Sequence, residues 1–205
     1  MPAMAHRNSL LLAALFLAPS LAHAHTGVSG ISGFGHPLAG LDHLCAMIAV
    51  GLWAAQIGGR ALGAVPLTFV TAMAFGGSIV MAGLDLPFVQ TGVPLSVLLP
   101  GVLSTAAVRL PLAASIVIVA LFAIFHGYTH GAEMPAHTSG YAYAAGFTLA
   151  TAALHFCGSG LGIGMQKLAR PQIVRFAGAA IVLCGCVALG RLTPQPPGRF
   201  RRAVH

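Results

Sequence analysis

Charge is what this sequence has least of. Among 205 residues only three are acidic and ten are lysine or arginine, so charged side chains make up 6%. Soluble domains carry about 25%, and a water-facing surface cannot be kept in solution with so little. The chain therefore reads as a membrane protein, 57% hydrophobic with a mean hydropathy of +0.88. A disulfide framework is also missing. Cys45, Cys157, Cys184 and Cys186 all lie in apolar stretches, and the last two form C-x-C rather than the C-x-x-C of redox or zinc sites. They are expected to serve as buried small hydrophobic residues. No H-E-x-x-H, P-loop or G-x-S-x-G occurs, so no zincin, ATPase or serine hydrolase is visible. The chain is read as a non-enzyme without a prosthetic group, and ATP-driven transport would require another subunit. The formal charge of +7 does not point to nucleic acid. Its basic residues are scattered between apolar runs or gathered at the C-terminus, as membrane-flanking anchors are.

What is present is a leader and six apolar runs. Arg7, the core LLLAALFLAPSL and Ala22-His23-Ala24 have the layout of a cleavable signal peptide over residues 1–24. Residues 25–36 then form a short N-terminal segment, and 191–205 a basic tail. Between them, 37–190 is expected to be an all-α membrane domain of six transmembrane helices. The runs are about Pro37–Ile57, Ala61–Gly83, Phe88–Val108, Pro111–Gly131, Tyr141–Gly164 and Ile173–Leu189. Each is near the ~20 residues that cross a ~30 Å hydrocarbon core, and backbone in lipid must pair internally, which favours helices. Arg60, Arg109 and the group Lys167, Arg170 and Arg175 fall in alternate loops, which the positive-inside rule places in the cytoplasm. The N-terminus then lies outside. Arg191, Arg199, Arg201 and Arg202 depart from that rule, since they follow the sixth run.

Ionisable groups inside a membrane are costly, so their positions carry information. His36, Asp42 and His43 stand at the start of the first run. Pro37 suits a first helical turn, which puts His36 at the cap. A straight helix would then separate His36 from His43 by about 10 Å along its axis, too far to share one ion without a bend. Alone, this cluster also suits a carboxylate on a helix dipole beside satisfied histidines. His126, His130 and Glu133 close the fourth run at i, i+4 and i+7, on one helical face. Paired imidazoles at that spacing are good ligands for a borderline divalent metal, and a carboxylate lowers the charge cost of holding it. By itself this set also suits an interfacial histidine pair and a loop glutamate. The topology puts both clusters at the outer face, together holding two of the three carboxylates, and the joint reading is a capture site for a divalent cation. His155, deeper in the fifth run, suits either a relay ligand or a helix-packing hydrogen bond. Met47, one turn past His43, offers a thioether but suits a core position better. His25, with a free α-amino group after cleavage, is a further candidate whose alternative is a plain surface histidine.

These motifs resemble a known family. HPLAGLDHLCAMIAVGLWAAQ and ALFAIFHGYTHGAEMP are similar to the two signatures of the HupE/UreJ proteins, and the resemblance continues through YAAGFTLATAALHFCGSGLG. It implies a secondary permease of the bacterial inner membrane for Ni²⁺, supplying hydrogenase or urease maturation. By that similarity His36, Asp42, His43, His126, His130 and Glu133 are the residues needed for transport. Co²⁺ or another first-row divalent metal remains open as cargo. So do two other classes: an intramembrane metal-dependent enzyme and a metal-binding sensor. Two positions depart from the family's pattern. Thr129 stands where a small apolar residue is usual and is expected to be tolerated. Gln90 stands where many relatives have glutamate, which would weaken cation attraction or alter metal preference.

Overall fold

The computed structural model describes residues 29–135, 138–168 and 171–190. The signal-peptide segment, His25 and the basic tail lie outside them. Seven α-helices and no strands are found among the described residues: α1 Ser29–Ala39, α2 Leu41–Ile57, α3 Ala61–Met81, α4 Val89–Thr105, α5 Leu112–Ala132, α6 Gly140–Lys167 and α7 Pro171–Gly190. Three of them, α3, α5 and α6, are each long and apolar enough to cross a bilayer. The bent pair α1–α2 passes as a fourth, while α4 and α7 are shorter apolar helices.

The largest departure from expectation is at the first apolar run. The chain is already helical from Ser29, so His36 lies in the last turn of α1 rather than outside a helix that begins at Pro37. Pro37 is inside α1, where it has no N–H to give the preceding turn. The helix stops two residues later, and Gly40 takes an extended conformation (φ −98°, ψ 120°) before α2 starts. The two axes meet at 80°. The bend that sharing one ion would demand is therefore present, as an elbow between two helices.

The helices pair chiefly as α3 with α5, α2 with α6, α4 with α7 and α1 with α6. Lipid offers no hydrophobic drive between helices, so close backbone approach and dispersion hold such pairs together. Gly127 of α5 lies so close to the Met73 backbone of α3 that a Cβ there would overlap its carbonyl oxygen. Gly51 of α2 meets the His155 carbonyl of α6 in the same way. Pro66 in α3 and Pro94 and Pro100 in α4 lie inside helices, as membrane helices tolerate. Side-chain hydroxyls turn back on their own helices: Thr71 Oγ1 donates to Leu67 O at 2.9 Å and Thr105 Oγ1 to Gly101 O at 2.8 Å.

The core is centred on α2, where Met47, Val50, Trp53 and Ala54 are buried against Val65, Phe69 and Met73 of α3 and Phe147 of α6. Large apolar side chains also point outward, including Leu67, Phe75, Val117, Leu121, Leu149, Phe156, Phe176 and Leu183. Apolar exposure on this scale suits lipid, not water. The four cysteines are free, as expected of a chain without a disulfide framework. Their burial differs from expectation, because Cys157 and Cys186 are exposed. Helical phase turns those two thiols outward from the bundle, while Cys45 and Cys184 are half-buried.

Candidate metal centre

Each element delivers its ligand for a local reason. The elbow at Gly40 folds α1 back, so His36 from one helix and His43 from the next have ring centroids 6.2 Å apart. The end of α5 brings His126 and His130 on successive turns, 6.0 Å apart. These two pairs meet. His43 lies 4.2 Å from His130 and 5.4 Å from His126, and His36 lies 5.1 Å from His130. Glu133 caps α5, its N–H bonded to Thr129 O at 2.9 Å. Its Oε2 reaches to 3.2 Å from His36 Nε2 and 3.9 Å from His130 Nδ1.

Potential ligand atoms of His36, His43, His130 and Glu133 all lie within 4.8 Å of one another. Around a divalent ion with ligands at about 2.0–2.2 Å, neighbouring ligand atoms sit roughly 3–4 Å apart. Small side-chain rotations would close the difference. Three imidazoles and one carboxylate form a mixed N/O donor set suited to first-row metals. Burial is graded across the site: His43 and His130 are buried, the His36 side chain is 28% exposed and Glu133 48%. The carboxylate and His36 thus stand at the rim, with the other two imidazoles behind them.

His126 is wholly buried one turn further in. Its Nδ1 lies 2.8 Å from Ser96 Oγ of α4, which fixes the ring, as partners of metal-binding histidines commonly do. Asp42 occupies the second position of α2, and its side chain lies outside the described residues. Met47 is fully buried in the core. His155 is buried in α6 away from the four-residue group. Gln90 is exposed in the first turn of α4. The Thr129 hydroxyl donates to Phe125 O at 3.1 Å, which meets its polarity within α5.

Several neighbours carry no signal in the sequence. Ser96 reaches His126 from a helix with no ionisable residue of its own. Tyr143 and Phe147, four apart on α6, wall the site: Tyr143 lies 5.9 Å from His36, and Phe147 4.0 Å from His130, centroid to centroid. Their spacing marks one helical face, but nothing in the sequence says which face meets the histidines. Beside them, a mainly apolar cavity of about 320 Å³ reaches His130 and is lined by Met73, Met81 and Met134.

A sequence model of the HupE / UreJ protein family matches residues 11–188 of the chain. The chain belongs to the HupE/UreJ family. Among relatives, "Protein HupE" of Rhizobium leguminosarum bv. viciae is 42% identical over 181 residues, covering 87% of this chain and 94% of that protein. No solved structure matches. Family membership and the apolar helices together make this HupE/UreJ chain a multi-pass membrane protein. Its two histidine motifs, 83 residues apart between His43 and His126 in the sequence, form one group in the fold.

Proposed function

We propose that this chain is a permease that carries Ni²⁺ from the periplasm into the cytoplasm across the bacterial inner membrane. The cargo would serve hydrogenase or urease maturation. The convergence of His36, His43, His130 and Glu133 on one small volume carries this reading. A divalent ion leaving water needs replacement ligands and some opposite charge, and this group offers both. It also leaves access, because its rim is partly exposed. Mixed imidazole and carboxylate ligation is weak enough to release the ion, as transport requires and as a closed thiolate site would hinder. His126 and Asp42 complete the proposed transport set, one from behind and one from the first turn of α2.

The accompanying topology has six crossings after a cleaved signal peptide over residues 1–24. The bent pair α1–α2 is the first crossing, and α3 to α7 are the other five. The membrane domain, read from the sequence as 37–190, then begins with α1 at Ser29, and 191–205 are a tail. Arg60, Arg109 and Lys167 stand at alternate connections, which makes those connections cytoplasmic and the histidine group periplasmic. Movement is facilitated or gradient-coupled, without a nucleotide-binding unit in this chain.

Uptake of radioactive nickel by cells with and without the chain tests the reading. Cells carrying the protein should accumulate nickel, and His43→Ala or His130→Ala should abolish the gain. Accumulation that persists in both variants would sink it. Cobalt as competitor measures whether the same site carries Co²⁺, which the donor set equally suits.

A further inference from the structure

One buried imidazole has no place in the capture site. His155 is 1% exposed, and neither of its ring nitrogens has a hydrogen-bond partner among the described residues. An imidazole always carries nitrogen donors or acceptors, and leaving them unmet in a membrane interior disfavours the fold. An apolar side chain would fill the same space without that cost. A helix-packing hydrogen bond, the ordinary reason for such a histidine, is not made.

The surroundings of His155 connect it to the capture site. On α6, Tyr143, Phe147, Thr151 and His155 recur every four residues, and all are buried. They form one slowly turning stripe. Its first two members wall the histidine group. The third donates from Oγ1 toward Met73 Sδ at 3.8 Å. The fourth stands edge-on to Phe69 of α3, with centroids 5.0 Å apart. The same phenyl ring lies 5.7 Å from His126. His126 and His155 thus flank a single aromatic side chain, one belonging to the capture site and the other deeper. At about 1.5 Å of rise per residue, His155 lies roughly 18 Å along α6 from Tyr143, a little over half of a ~30 Å hydrocarbon core.

We infer that His155 is an inner station for the same divalent cation. It receives the ion after His126, with the Thr151 hydroxyl and the Met73 thioether on the route between. This rests on the transport reading above. A lone imidazole with weak neighbours binds briefly, which suits an intermediate step: an ion must leave each site as readily as it enters. The station lowers the barrier to crossing the apolar middle of the protein and adds nothing to capture.

Full-length chain reconstituted in liposomes, with Ni²⁺ added outside, tests this by initial rates across a concentration series. His155→Leu should lower the maximal rate about tenfold, while half-saturation and Ni²⁺ binding to the purified chain stay unchanged. His155→Met has a side chain of nearly the same volume but carries a ligating sulfur. It should recover part of the lost rate. A His155→Leu rate equal to wild type overturns the station, and equal slowing in both variants assigns a packing role and overturns it too. A wild-type chain that moves no Ni²⁺ overturns the transport reading itself, and is told apart by that control.

Discussion

The two ends of the helix bundle use polar side chains in opposite ways. Where α1, α2 and α5 meet, imidazoles and a carboxylate point at one another, and most of their ring contacts are with other histidines or aromatics. Where α2 runs out toward Arg60, polar groups bind backbone carbonyls of neighbouring segments. Trp53 Nε1 donates to Val108 O at 2.9 Å, Gln56 Nε2 to Ser104 O at 2.8 Å and Gln166 Nε2 to Ala55 O at 3.0 Å. A donor aimed at a carbonyl fastens a helix end. Imidazoles aimed at each other gain little in that arrangement and are placed to gain from a shared cation. In the proposed reading one end receives and the other holds.

That contrast can be broken from either side. The largest effect is expected for a double variant, His43→Ala with His130→Ala, which should remove Ni²⁺ binding to the purified chain as read by equilibrium dialysis. Next come Glu133→Gln and His36→Ala at the rim. Each removes one of four ligands and should weaken binding by about 10- to 100-fold, with the melting temperature little changed. Ser96→Ala should cost less, about tenfold in nickel affinity, because it loosens a partner of His126 rather than a ligand. At the opposite end, Gln56→Leu should lower stability by about 1 kcal/mol through the lost hydrogen bond and leave nickel affinity alone. Chemical or thermal unfolding in detergent reads the first quantity and dialysis the second. The smallest effect is expected for Thr129→Ala, whose hydroxyl serves only its own helix, and uptake should not change. A Gln56→Leu variant that loses nickel binding, or a Glu133→Gln variant that loses only stability, would erase the distinction between the ends.

Much of the candidate site was legible in the sequence because its ligands are rare residue types in an apolar background. His43, His130 and Glu133 could be paired from helical spacing and from the side on which each helix ends. The elbow could not. Pro37 favours a first helical turn by its local chemistry, yet it stands near the end of a preceding helix. Only the packing of α1 against α6 decides between them. Ser96 was invisible for a related reason: a hydroxyl on an otherwise unremarkable helix gains meaning from what lies across the gap. The outward thiols of Cys157 and Cys186 show the same limit, since an apolar helix in lipid has no hydrophobic stripe to reveal which face is inward. The seven helices follow from apolar runs and internal backbone pairing, but their partners follow from glycine contacts such as Gly127 with Met73.

The fold at Gly40 has a mechanical consequence. It hands His36 to a short segment, and there the imidazole lies 3.2 Å from a glutamate 97 residues away. An ion gripped by both would act as a removable cross-link, closing a long loop of chain whose closure otherwise carries an entropic cost. Loading would tie the end of α1, already packed on α6, to the end of α5 as well. The cargo would then be, for as long as it stays, part of the framework that carries it.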